Sequence, residues 1–208
     1  MKGLFKTTNY FRNYWKQRVI NWHESYFNID HPHRQKIIEI LKRFDFWSIL
    51  EIGCGAGANL YLVKQSFPRV DIGGIDWNAD AIEEAKKMLP RASILQVGEA
   101  TDIYISDKGA DIILSDMCLI YLTKKNFYKV LEEARRVARV GMVFCEFHHK
   151  SWFRRQILRW TSGYNSYNYK KELKKAGFYD IQMYKLTEQD WPGGNPQRDY
   201  GWIISAKV

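Results

Sequence analysis

The sequence has few cysteines. Cys54, Cys118 and Cys145 are its three thiols in 208 residues, and no CxxC or other metal-ligand spacing connects them. A disulfide framework or a cysteine-held zinc is therefore not expected, and the apolar neighbours predict buried thiols in a reducing compartment. No apolar run reaches the ~20 residues of a membrane span. The start, Met1-Lys2-Gly3-Leu4-Phe5-Lys6, has none of the apolar length of a secretory signal, so a cytoplasmic location is the expectation. Without a low-complexity tract, an internal repeat or a linker, a chain of this length reads as one α/β domain with one core.

Charge and aromatic content are high. Lys and Arg number 32 against 23 Asp and Glu, a net charge of +9 and a pI near 9.4. Such a balance favours an acidic partner, RNA among them, although the bases are interleaved with acids rather than gathered in blocks. Aromatics make up 15% and concentrate in residues 4–27 and in the last third.

In residues 4–27 the apolar positions recur at three- and four-residue steps, as on a helix face. Asn28-Ile29-Asp30-His31-Pro32 breaks that pattern, and a helix follows with Ile37, Ile38, Ile40, Leu41 and Phe44 inward. Ser48–Ile52, Val70–Ile75, Ser93–Val97, Asp111–Ser115 and Gly141–Phe147 read as short buried strands. They alternate with helices at about Asn59–Ser66, Asp80–Met88 and Lys124–Arg139. Repeated strand–helix crossovers with near-continuous apolar strands predict a doubly wound, mostly parallel sheet covered on both faces. Beyond it come a basic aromatic segment, Ser151–Trp160, and a helix, Tyr169–Ala176, capped by Gly177. Two final strands, Tyr179–Leu186 and Tyr200–Val208, form an antiparallel pair around the loop Trp191-Pro192-Gly193-Gly194-Asn195-Pro196. The expected fold is a seven-stranded sheet with an antiparallel C-terminal strand. A helical extension or lid covers 1–44 and the Rossmann-like core covers 45–208.

The first strand ends in Gly53-Cys54-Gly55-Ala56-Gly57. A glycine-rich turn there brings backbone close to a ligand, and the following helix aims free N–H groups at it. Glu51 places a carboxylate beside the turn. Asp76 ends the second strand, where a carboxylate accepts hydrogen bonds from ribose hydroxyls. The glycines alone also fit the GxGxxA of dinucleotide enzymes. Glu51 sits poorly near a pyrophosphate, however, and the antiparallel tail replaces the second nucleotide-binding half. Glu99-Ala100 follows the third strand, within reach of an adenine amino group.

In these motifs the chain resembles the class I methyltransferases that use S-adenosylmethionine (SAM), over about residues 45–208. Glu51-Ile52-Gly53-Cys54-Gly55-Ala56-Gly57 is similar to the family's first motif and Asp76 to its ribose-binding acid. Glu99-Ala100 stands at its adenine-contacting position, Ser115–Leu122 resembles the segment after its fourth strand, and Lys174–Phe178 the turn before its sixth. The resemblance implies SAM as cofactor and S-adenosylhomocysteine as product. It implies contacts from Glu51, Gly53, Cys54, Gly55, Gly57, Asp76, Trp77, Glu99, Ala100 and Ser115.

Methyl transfer from a sulfonium is an in-line displacement, which needs alignment and water exclusion and requires a base only for a protonated acceptor. His148 and His149, after the fifth strand, and Tyr121 are the candidate catalytic groups. Asp116 also stands at the end of the fourth strand. Trp22, Tyr26, Tyr121 and Trp191 are the candidate acceptor contacts, and no spacing marks a metal site. Without a recognition domain, O- or N-methylation of a small molecule is the leading expectation. RNA methylation is an alternative, and a SAM-binding protein without catalysis a third. No Asn-Pro-Pro-Tyr or Asp-Pro-Pro-Tyr follows the fourth strand, as amino-methylating base enzymes have.

Overall fold

The computed structural model describes residues 7–208; Met1 to Lys6, with Phe5 of the aromatic leader, lie outside the described residues. The leader contributes α1 (Thr8–Lys16), α2 (Trp22–Tyr26) and α3 (Pro32–Leu41). The core runs β1 (Ser48–Ile52), α4 (Ala58–Ser66), β2 (Asp71–Asp76), α5 (Ala79–Met88), β3 (Ile94–Val97), β4 (Ala110–Asp116), α6 (Lys124–Val137) and β5 (Ala138–Phe147). The chain ends with α7 (Trp152–Ser162), α8 (Tyr169–Lys175), β6 (Tyr179–Lys185), α9 (Gln197–Tyr200) and β7 (Gly201–Lys207).

The seven strands form one sheet in the order β3-β2-β1-β4-β5-β7-β6. Pairs among β1 to β5 are parallel, and β7 runs antiparallel to both β5 and β6. The chain winds from β1 outward to β3, then returns to place β4 on the other side of β1. That reversal opens a crevice at the carboxyl ends of β1 and β4, where open α/β sheets bind ligands.

Both faces are covered, which is why the strands read as apolar throughout. On one face α6 buries Phe127, Val130, Leu131, Ala134 and Val137. On the other, α3 and α4 bury Ile37, Ile38, Leu41, Leu60 and Val63. Apolar burial of this kind is the main source of stability.

The structure departs from the expected elements at three places. The leader is not one helical run, because it breaks over residues 17–21. Val19 and Ile20 are β-branched and poor helix formers, and the Asn21 side chain accepts from Glu24 N–H at 3.2 Å to start α2 afresh. The first long helix stops at Leu41, short of Phe44. The loop before β7 ends in the single turn α9, so Tyr200 is helical rather than extended. Gly177 adopts φ +85° after α8, the left-handed cap expected there.

Candidate active site

β1 delivers the glycine loop to the crevice. The Gly53 and Cys54 N–H groups donate to the Ile75 carbonyl at 2.8 and 3.1 Å, fastening the loop to β2. Gly57 stands at φ +85° where a Cβ would strike Leu89, so it is there for helix packing. Gly55, at φ +52°, has nothing within 4 Å of where its Cβ would lie, and its backbone faces open space. That space is a cavity of about 460 Å³, within the ordinary range for small-ligand sites.

One wall comes from Gly53, Gly55, Asp76, Trp77, Gly98 and Ala100. Asp76 is set by its backbone: its two oxygens accept from Gly55 N–H at 3.0 Å and Asn78 N–H at 2.9 Å. Each oxygen keeps a further lone pair. Burial raises the Asp76 pKa above the ordinary carboxylate value.

The leader makes the opposite wall with Trp15, Trp22 and Tyr26. It is tied down at three points. Asn78 Nδ2 donates to the Trp15 and Arg18 carbonyls at 2.6 and 3.0 Å. Thr123 N–H donates to Thr8 Oγ1 at 2.7 Å. Arg12 forms an ion pair with Glu99. Tyr121 closes a third side in edge and tilted contact with Phe11, Trp15 and Tyr164. Burial pushes its hydroxyl pKa well up, so it stays protonated.

The remaining end is polar. His31, His33, Arg34 and Asp116 all line it. His33 Nε2 lies 2.9 Å from Asp116 Oδ2, and the Nδ1 atoms of His31 and His33 are 2.5 Å apart. The Trp191 ring packs on both imidazoles, centroids 4.6 and 4.3 Å away. Arg34 Nη1 donates to Asn59 Oδ1 at 2.6 Å and to Asp116 Oδ2 at 3.1 Å. Asn59 Nδ2 donates in turn to Glu51 Oε1 at 2.6 Å and Asp116 Oδ2 at 3.1 Å. His33 and Arg34 hold the Asp116 pKa far below its usual value against the effect of burial. His31 is lowered to about 4, first by burial and then by His33 and Arg34. Among the described residues, His33, Asp116 and Cys145 also bring three ligand-type atoms within 4.8 Å. The Arg34 guanidinium already supplies the positive charge beside that carboxylate.

The expected residues therefore divide. Gly53, Gly55, Asp76, Trp77, Ala100, Trp22, Tyr26, Tyr121 and Trp191 meet around one cavity. Cys54 and Ser115 lie beneath it: Cys54 packs toward Gly74, and Ser115 Oγ donates to Glu146 Oε1 at 2.7 Å. Glu51 is buried one hydrogen bond behind the wall, through Asn59. Glu99 is turned to the leader and to the Trp77 indole, which donates to it at 2.9 Å. The expectation of a catalytic histidine after β5 is corrected, because neither His148 nor His149 lines the cavity. His148 is buried, its Nδ1 accepting from Tyr169 N–H at 3.0 Å, and His149 accepts from Ser151 N–H at 2.9 Å. Both are absorbed in the turn into α7 and the packing of α8. The histidines at the cavity are His31 and His33, which the sequence offers only as an alternating His-Pro-His pair at a helix start.

Glu51 provides a pH test. Burial, reinforced by Asp116, raises its pKa to about 8, while Asn59 opposes the shift. A raised carboxyl pKa means the folded state holds the proton more tightly than the unfolded chain. The resulting stability is present below the unfolded value, near 4.5, and is lost as pH rises through about 8. Wild type is expected to lose melting temperature between pH 5 and pH 8.5. Glu51→Gln, neutral throughout, is expected to flatten that loss in parallel thermal melts.

Comparison with known proteins agrees with this geometry. Residues 49–141 match the family model described as a methyltransferase domain. Trans-aconitate 2-methyltransferase of Afipia carboxidovorans is 31% identical over 85 residues, covering 41% of this chain and 32% of the relative. Demethylmenaquinone methyltransferase of Thermotoga maritima is 27% identical over 114 residues, covering 53% and 47%. The chain thus spans about a third to a half of the length of these curated relatives. Among solved structures, phosphoethanolamine N-methyltransferase 2 of Haemonchus contortus in complex with SAM superposes with a TM-score of 0.66 at 16% identity, over 95% of this chain and 59% of that one. Geranyl diphosphate C-methyltransferase of Streptomyces coelicolor gives 0.68 at 11% identity, over 100% and 99%. Residues 49–141 thus match a methyltransferase domain, and the chain as a whole shares the fold of these methyltransferases.

Proposed function

We propose that the cavity binds SAM and that the protein transfers its methyl group to an O or N atom of a small-molecule acceptor. The observation that carries the reading is the juxtaposition of the exposed Gly55 backbone, the doubly anchored Asp76 carboxylate and the acidic, imidazole-rich end in one cavity. Asp76 retains acceptor capacity for a vicinal diol. Trp77, Ala100 and Gly98 offer a flat, mainly apolar slot for a purine. At the far end, Asp116 Oδ1 is buried without a hydrogen-bond partner, a cost that a ligand ammonium would remove. Arg34, on the same wall, suits a carboxylate. An amino acid joined to a nucleoside fits this distribution, whereas a pyrophosphate would meet the Asp76 and Asp116 carboxylates.

SAM, when bound, supplies a methyl group already activated by its sulfonium. The protein's part is then to align the acceptor, exclude water and take a proton where the acceptor has one. The leader, with Trp15, Trp22 and Tyr26 over the cavity, acts as the lid. His31 is the base: with His33 Nε2–H donating to Asp116, His33 Nδ1 accepts from His31 Nδ1–H, and His31 Nε2 keeps a free lone pair. Its lowered pKa keeps that lone pair available at neutral pH.

Calorimetric titration with SAM, S-adenosylhomocysteine and NAD tests the cofactor. Micromolar binding of the two adenosyl ligands and none of NAD is expected. NAD binding in their place would overturn the reading. Release of S-adenosylhomocysteine in a screen of small hydroxy, carboxylic and amino compounds would then identify the acceptor class.

A further inference from the structure

Helix α7 carries three large aromatics that the fold does not use. Trp152, Phe153 and Trp160 are 65%, 65% and 71% exposed, whereas Leu158 of the same helix is buried at 2%. At about 100° per residue, Phe153 and Trp160 fall on the side opposite Leu158, with Trp152 at the edge of that crest. Arg154, Arg155 and Arg159 lie on the flanks between crest and core. No Asp or Glu occurs between Phe147 and Lys171, so the segment is itself uniformly basic. Leu158 packs with Ile120 and Phe147 beside Tyr121 and Tyr164. The inner side of α7 therefore backs the wall of the cavity.

We infer that α7 is a docking element for an anionic lipid surface, lying flat in the headgroup region. The aromatic crest would enter the acyl boundary while the flanking arginines meet lipid phosphates, the arrangement of an interfacial amphipathic helix. Exposed aromatics at this density on one helix mark an interaction site. The position of the cations selects the partner. An RNA-binding helix presents its cations at the crest to reach phosphates, and here the crest carries Phe153, Gln156 and Trp160 and no cation. A two-fold pairing of α7 with a second copy would set arginine against arginine. Among the described residues no helix is long and apolar enough to cross a membrane, so the contact is peripheral.

The test is co-sedimentation of the full chain with vesicles of equimolar phosphatidylglycerol and phosphatidylcholine, against vesicles of phosphatidylcholine alone. Binding is expected to the anionic vesicles only and to weaken with added salt. It should fall at least about tenfold in the triple variant Trp152→Ser, Phe153→Ser, Trp160→Ser, and likewise in Arg154→Glu, Arg159→Glu. Trp47→Ser and Tyr104→Ser, at 62% and 92% exposed positions elsewhere, should leave it unchanged. Unaltered melting curves and unaltered S-adenosylhomocysteine titrations would show that the α7 variants are folded. The inference is overturned by absence of binding to the anionic vesicles, or by equal binding of the α7 variants. It is equally overturned if the same substitutions abolish binding to single-stranded RNA or a concentration-dependent dimer while vesicle binding is untouched. Vesicle binding is read without SAM, so its failure leaves the cofactor reading standing, and the reverse holds.

Discussion

Gly55→Arg is expected to abolish binding of both SAM and S-adenosylhomocysteine without unfolding the protein. The space beyond the Gly55 Cα is clear of protein atoms within 4 Å, so a side chain there meets no neighbour and extends into the cavity. The cost to the fold is that of a non-glycine residue at φ +52°, about 1–2 kcal/mol. Asp76→Ala should weaken the adenosyl ligands by about 10²–10⁴. Two hydrogen bonds to a charged group, at about 1.5–3 kcal/mol each, would be removed, and each 1.4 kcal/mol is tenfold. Asp76 also holds the Gly55 and Asn78 N–H groups, so Asp76→Asn is the companion variant. It keeps one oxygen and should fall between alanine and wild type. Calorimetry reads the affinities and thermal melts read the fold. Wild-type affinity in either Gly55→Arg or Asp76→Ala would remove the glycine loop and β2 end from the cofactor site.

His31→Ala is expected to lower kcat by about 10²–10⁴ on an acceptor that gives up a proton, the usual worth of a positioned general base. Binding of S-adenosylhomocysteine should be little changed. The wild-type acid limb should follow the lowered His31 pKa of about 4. Activity then holds through neutral pH and falls as His31 protonates, and the limb should vanish in His31→Ala. His33 is a positioning residue, holding His31 in the required tautomer through Asp116. His33→Ala should therefore leave some catalysis but move the acid limb upward, toward the ordinary imidazole range, as the neighbouring ring and its contribution to the low pKa are lost. An unchanged kcat in His31→Ala, or an acid limb unmoved in both variants, would exclude the relay.

The order of the sheet was legible because its signals are local and repeated. Ser48–Ile52 is apolar on both faces, the glycine turn follows at once, and Asp76 closes the next strand. These fit one crossover unit, and the family resemblance extends it through β7. The leader was only half legible. Its apolar spacing revealed helix, but the break at residues 17–21 depends on Asn21 capping α2 and on Asn78 binding the Trp15 and Arg18 carbonyls from about 60 residues away.

The histidines show the limit most clearly. His148 and His149 follow a strand, where candidate bases are sought, yet they stand away from the cavity with their Nδ1 atoms accepting from Tyr169 N–H and Ser151 N–H. His31 and His33 precede a helix in what reads as a pattern break, and no local signal links them to Asp116, 83 residues beyond His33. Periodicity and turn chemistry act over a few residues, so the sequence by itself determined the strands, the glycine turn, the acid that ends β2 and the resemblance to methyltransferases. Which carboxylate oxygens stay buried without partners, which imidazole meets Asp116 and which helix turns its aromatics outward depend on contacts between distant segments. Only the tertiary structure decided those, because burial and hydrogen-bond partners exist only once the sheet has wound back on itself.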